Sequence, residues 1–361
     1  MDSTLYVNGI CDEDSLSSNI EDLFLKSTNN LEWLQPGELV LLKPALNSAH
    51  PYPATTHPLA VKVISEILER NKVKVVVGDQ SGIRSVLHHQ EGVVRGNSRK
   101  NYIKSGMGTG KDNFIAFEVE GWDDGFIHHQ SKKTPSWKNG FYITHWINKA
   151  DHIINLPRIS THTQAGATLG FKNMIGILRD DSRMEYHANG PYNYLIKFNA
   201  HKSSLKSIDD HSGTFLEKIV EISDAVWDKL RLTLFVATKA QTTFGPDSHS
   251  LKLGEFKINR SHISNLKPGL IFASQDQVAC ESFALATLKY LRKTLPILAK
   301  LNERIILLSS NNTHKIDKIP IRDHPYLKHA IDMGMGEIPS GINYQNVPVN
   351  LRRDIEFYLN E

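Results

Sequence analysis

The sequence predicts an α/β protein, a mostly parallel sheet flanked by helices and built from βαβ units, with room for two lobes and a cleft. Three observations predict it. Near-continuous apolar runs such as Leu39–Leu42 and Val75–Val77 suit strands buried on both faces, the situation of parallel strands covered by helices. Between such runs lie stretches of helical period, as in Leu59, Val63, Ile64, Ile67 and Leu68, which give a helix one apolar stripe. Pro and Gly punctuate the alternation, at Pro36-Gly37 and Gly245-Pro246 for example, where they set turns.

In chain order, Thr4 to Val7 reads as a short strand and the stretch with Ile20, Leu23, Phe24 and Leu25 as a helix. Glu38 to Pro44 is a buried strand stopped by its proline. Thr56 is placed to cap the helix that follows, with Pro58 in the first turn, where a missing N–H costs nothing. Lys72 to Gly78 is the next strand, so residues 38–78 form a βαβ unit with a right-handed crossover. Ligands in such sheets sit beyond the carboxyl ends of the strands. That rule singles out the loops Lys43 to His57 and Asp79 to Arg84.

Residues 95–140 form an irregular insertion. Gly106 to Lys111 is glycine-rich but lacks the spacing of a phosphate loop and the strand that should precede it. Phe114 to Val119 reads as a strand and Ile143 to Ala150 as a helix leading into the strand Asp151 to Leu156. A second apolar run spans Leu169 to Leu178. A helix from Thr214 to Leu230, strands at Leu232–Thr238 and Gly269–Ser274, and a helix from Asp276 to Leu291 complete the alternation. The expected division is an N-terminal extension (1–38), a first α/β lobe (39–150) and a second lobe (151–361) carrying the candidate site.

Composition narrows the function. The 361 residues carry a formal net charge of +3 and no Lys/Arg block, which argues against nucleic acid or a membrane surface as partner. No apolar run reaches the ~20 residues of a membrane helix. The acidic, polar start does not resemble a signal peptide, so the expected location is cytoplasmic. Two cysteines, Cys11 and Cys280, cannot build a zinc ribbon or a cysteine-ligated iron–sulfur cluster. Any metal must use His and oxygen ligands, for which the 17 histidines are a supply, though surface histidines are the more common explanation.

Chemistry concentrates between Asn155 and His187. Lys172 is an amine inside an apolar run, with His162 ten residues before it and His187 fifteen after. Desolvation disfavours the charged amine and makes it a better base or nucleophile, and histidines titrate near neutrality unaided. The alternative is a surface lysine on an amphipathic helix between two loop histidines. Lys43, Thr55, Thr56, His57, Asp79 and Asn173 lie in or beside the same strand-end loops and are candidate substrate contacts. Asp79 also reads as a turn aspartate or a partner of Lys43, Lys43 as an exposed structural lysine, and Asn173 as a loop-holding residue. Asp276 reads as a helix cap and Cys280 as a small core residue.

Several phrases together resemble the family called domain of unknown function 362: Leu42-Lys43-Pro44, Ala54 to Pro58, Val77-Gly78-Asp79, Ile154 to Pro157, Thr161-His162, Gly170 to Asn173 through Gly176, His187, Gly245-Pro246 and Ala273 to Asp276 through Ala279. Some members carry a ferredoxin-like module, whose cysteines this chain lacks, so the resemblance is to a form that binds no iron–sulfur cluster itself. A more distant similarity is to the nickel-pincer lactate racemase family. It implies Lys172 as a cofactor-tethering amine, His187 as a metal ligand and His162 as a proton-transfer base. The arginine of that family's substrate loop is missing beside Thr55-Thr56-His57-Pro58.

The expected function is therefore an enzyme acting on a small anionic molecule by proton or hydride chemistry at His162, Lys172 and His187. A divalent metal or a nickel-pincer-like cofactor is open, and the reaction would be racemase- or isomerase-like. Alternatives are a non-catalytic metal or small-ligand binder and an accessory protein docking to an iron–sulfur redox partner.

Overall fold

The computed structural model describes residues 3–108, 113–186, 214–247, 250–253, 256–259, 261–306 and 313–361. One large sheet runs through it. Its strands in chain order are β1 (Leu5–Ile10), β2 (Leu39–Pro44), β3 (Lys74–Asp79), β4 (Phe114–Ala116), β5 (His152–Leu156), β6 (Leu230–Gln241), β7 (Ile263–Ser274) and β8 (Ile342–Gln345). They lie side by side in the order β8-β1-β7-β6-β5-β2-β3-β4. The block from β6 to β4 is parallel throughout. β7 runs antiparallel to both β6 and β1, and β8 is parallel to β1. A hairpin of Ser160–His162 and Gly166–Thr168 joins the end of β6 through Ser160 opposite Gln241.

Alternation along the buried strands sends side chains into two cores. Val40, Leu42, Ile154 and Leu156 face one side with the helices α1 (Leu16–Ser27) and α2 (Pro58–Arg70). Leu41, Ile153, Phe235 and Phe272 face the other, where residues of the helix Gln277–Lys293 fill the layer. Helices on both faces are what allow the continuous apolar runs, because neither face of the central strands meets water. Cys280 is part of that second core, its thiol donating to the Thr233 carbonyl at 3.3 Å. Asp276 caps its helix, accepting from the Ala279 amide at 2.9 Å.

Several local expectations differ. The strand expected over Phe114–Val119 ends at Ala116 and continues as a 3₁₀ turn, and the helix expected over Thr214–Leu230 ends at Glu221, with Leu230 already in β6. The cap of α2 is His57, whose Nδ1 accepts from the Leu59 amide at 3.3 Å. Thr56 instead donates to the Leu156 carbonyl and accepts from the Ala45 amide, which ties the loop to β5. The helix expected from Ile143 starts instead as a strand, Phe141–Thr144, whose aromatic and β-branched residues pair with Phe126–His129. The apolar run at Leu169 is a single α-turn, Gly170–Asn173, followed by a 3₁₀ turn, Met174–Ile177.

The expected lobes share this sheet. β2 of the first and β5 of the second are hydrogen-bonded neighbours, with Lys43 opposite Asn155. The N-terminal segment supplies β1, which lies between β7 and β8.

Candidate functional site

The sheet order creates a crevice. The crossover from β2 through α2 carries the chain to β3 on one side, while β5 lies on the other side of β2. At such a switch point the loops leaving neighbouring strands diverge and open a space at their carboxyl ends. Asn173 reaches across it, its amide nitrogen donating to the Lys43 carbonyl of β2 at 3.0 Å and the Asn155 side chain of β5 at 2.8 Å. Asn155 in turn donates to the Gly170 carbonyl at 3.1 Å, so the turn carrying Lys172 is pinned to the sheet from two directions.

Lys43 and Asp79 pair at the strand ends, and Asp79 borders the space. The ammonium lies 2.8 Å from Asp79 Oδ1, with both side chains buried. Asp79 also accepts from the amides of Leu46 and Gln80, each at 2.8 Å. Burial pushes the Lys43 ammonium down and the Asp79 carboxyl up, and each charge pulls the other back. Gly176 covers the pair. A Cβ there would collide with Asp79 Oδ1 and come within 2.6 Å of Lys43 Nζ.

Two arginines complete the walls. Arg183, from the helix Asp180–Tyr186, is 1% exposed and donates to the carbonyls of Leu178, Ser81, Gln80 and Gly176. It clamps the loop after β3 onto the turn after Lys172. Arg158, two residues beyond β5, is 3% exposed. It donates to the carbonyls of Pro53 at 3.2 Å and Pro246 at 2.6 Å, joining the loops that leave β2 and β6.

Between these groups lies a pocket of about 60 Å³, bordered by Asn47, Asp79, Gln80, Arg158, Lys172, Asn173 and Arg183 among others. Lys172 is half-buried in its wall. Burial first, and then the nearby positive charges of Arg158 and Arg183, bring its amine down to about 7. The amine thus exchanges its proton near neutral pH, and the surrounding charge favours an anion.

The structure brings together Lys43, Asp79, Lys172 and Asn173 of the expected residues. The others lie elsewhere or do other work. Thr55 donates to the His50 carbonyl at 3.1 Å, Thr56 ties its loop to β5, and His57 caps α2. His162 is buried on the hairpin, where its Nδ1 accepts from the amides of Gln164 and Ala165 at 3.2 and 3.1 Å, and it does not border the pocket. His187 lies outside the described residues. Arg158 and Arg183 were not singled out by the sequence. The one available signal was position, since Arg158 directly follows the Pro157 that ends a buried strand.

A metal or a pincer nucleotide fits the described residues poorly. Among them no group of three His, Cys, Asp or Glu side chains could hold a metal ion. The pocket of about 60 Å³ is well below the roughly 300–1,000 Å³ of a typical cofactor or drug site. Among the described residues no helix is long and apolar enough to cross a membrane.

Residues 40–286 match the family model described as Domain of unknown function (DUF362), well over half the chain, and the chain belongs to that family. Comparison with curated proteins and with solved structures gave no match.

Proposed function

We propose that this DUF362 member is an enzyme that binds a small anionic substrate at the carboxyl ends of β2, β3 and β5 and uses the Lys172 amine for proton chemistry. One observation carries the reading: Lys172, Arg158 and Arg183 border one pocket together with Asp79, which is held in a buried ion pair with Lys43. Buried charges are expensive unless paired and hydrogen-bonded, so this density of cations supports a site for an oxyanion. An amine near neutral pKa supports catalysis over simple storage, because a proton-transfer group works best when its pKa lies close to the working pH. Within this proposal Arg158 contacts the anion, Arg183 holds the pocket's shape and adds positive potential, and Asn173 fixes Lys172 against the strand ends. His162 supports the hairpin and does not reach the reacting atoms. The reaction class is isomerase-like proton movement on the bound acid.

The test is titration calorimetry of the full chain with small carboxylic acids and their neutral amides, followed by solvent-deuterium exchange into any acid that binds. Binding of acids but not amides, with exchange lost in Lys172→Ala, is the expected result. Equal affinity for acids and amides would overturn the anion site. Exchange that survives in Lys172→Ala would overturn the role of the amine.

A further inference from the structure

We propose that the substrate is a short 2-oxo acid and that Lys172 captures its carbonyl as an imine, with Arg158 holding the carboxylate. This rests on the reading of the pocket as a small-anion enzyme site and names its substrate class.

Size comes first. A water occupies about 10–15 Å³ on this measure, so a pocket of about 60 Å³ takes roughly four to six non-hydrogen atoms. That is the size of glyoxylate or pyruvate and excludes a nucleotide or a sugar phosphate from full entry. Geometry comes second. Among the described residues Arg158 makes two hydrogen bonds, both to backbone carbonyls of flanking loops. A guanidinium carries more N–H donors than those two bonds use, and its planar fork matches a carboxylate. Arg158 therefore borders the pocket already oriented by the loops it joins, with donors left for a ligand.

Chemistry comes third. A lysine among apolar neighbours and beside other cations is the environment in which an amine becomes a nucleophile toward carbonyl carbon. Lys172 sits on an apolar turn between Phe171 and Met174, both fully buried, and shares its pocket with Arg158 and Arg183. The neutral amine adds to the carbonyl, a C–N bond forms, and the carbonyl oxygen leaves as water carrying the two amine protons. No oxidant or reductant is consumed. Once protonated, the imine of pyruvate withdraws electrons from the methyl carbon and makes its C–H bonds acidic; the proton released passes to solvent and its electron pair is held as the enamine.

The experiment incubates the full chain with pyruvate and sodium cyanoborohydride at neutral pH and reads intact mass and a peptide map. The expected result is one added acid less one oxygen, mapped to Lys172, lost in Lys172→Arg and strongly reduced in Arg158→Met. Thermal unfolding of both variants shows that the loss is not a failure to fold. Oxalate, an anion of similar size that cannot form an imine, is titrated in parallel. If oxalate binds and competes with pyruvate but no adduct forms on Lys172, the imine is overturned while the anion site stands. If neither acid binds, the anion site and this inference fall together. Labelling spread over surface lysines without preference for Lys172 overturns the imine.

Discussion

Lys43 and Asp79, the penultimate residue of β2 and the last of β3, form a 2.8 Å ion pair with neither side chain more than 3% exposed. The pair joins two adjacent parallel strands at the edge where the pocket opens. Removing one partner leaves an uncompensated buried charge, which typically costs about 3–5 kcal/mol. Asp79→Ala should lose stability on that scale, while the double variant Lys43→Met/Asp79→Leu should recover much of the loss. Urea unfolding at neutral pH checks this. A double variant no more stable than Asp79→Ala would show that the pair's value is not electrostatic.

Gly176 lies against both members of this pair. In Gly176→Ala the methyl must displace Asp79 or Lys43, which disturbs their ion pair. Overpacking of this kind costs about 1–3 kcal/mol. Calorimetric unfolding should show the loss, and oxalate binding should weaken beyond what reduced stability accounts for.

Lys172 makes stability depend on pH in a defined direction. Its amine falls to about 7 in the folded chain from 10.5, chiefly through burial. Below pH 7 both states carry the proton and the cost of a buried charge is present in full. Between 7 and 10.5 the unfolded chain holds more protons, so the folded state gains stability as pH rises. Lys172→Met should therefore stabilise the protein most at pH 6, by about 1–3 kcal/mol for a half-buried amine, and hardly at all near pH 10. Chemical denaturation at a series of pH values reads this directly, and a gain that does not change with pH would contradict it.

Anion affinity should follow the same proton with the opposite preference. A bound oxyanion favours the ammonium, so oxalate affinity should fall about tenfold from pH 6 to pH 8. In Lys172→Met the same titration should be flat. A steep profile retained in the variant would assign the dependence to another group.

Much of the fold was legible because burial on both faces leaves a mark in one dimension. Val40 to Leu42 and Ile153 to Leu156 had to be apolar, or in Asn155's case bonded, to lie in the centre of a covered sheet. Lys172 and Asp79 stood out for a related reason, being charged groups next to such runs. Arg158 and Arg183 did not, because their work is done on backbone carbonyls of residues about a hundred positions away. A carbonyl has no residue identity, so no pattern in the sequence points to it. For Thr56 and His57 the sequence shows the phrase and not the bonds. A Thr-His-Pro phrase at a strand-end loop suits substrate contact, and in the structure the Thr56 hydroxyl and His57 Nδ1 accept from the backbone amides of Ala45 and Leu59.

The placement of β1 imposes an order on assembly. Its neighbours are β7, where Tyr6 lies opposite Ala273, and β8, where Leu5 lies opposite Ile342. During synthesis this strand emerges before both partners and must wait for residues made hundreds of positions later, on the order of tens of seconds at about 5–20 residues per second. Until then its edges are open to other chains, and pairings of such sequence separation are slow to form. A circular permutant of residues 1–361 that moves β1 behind β8 should therefore refold faster from urea than the parent chain.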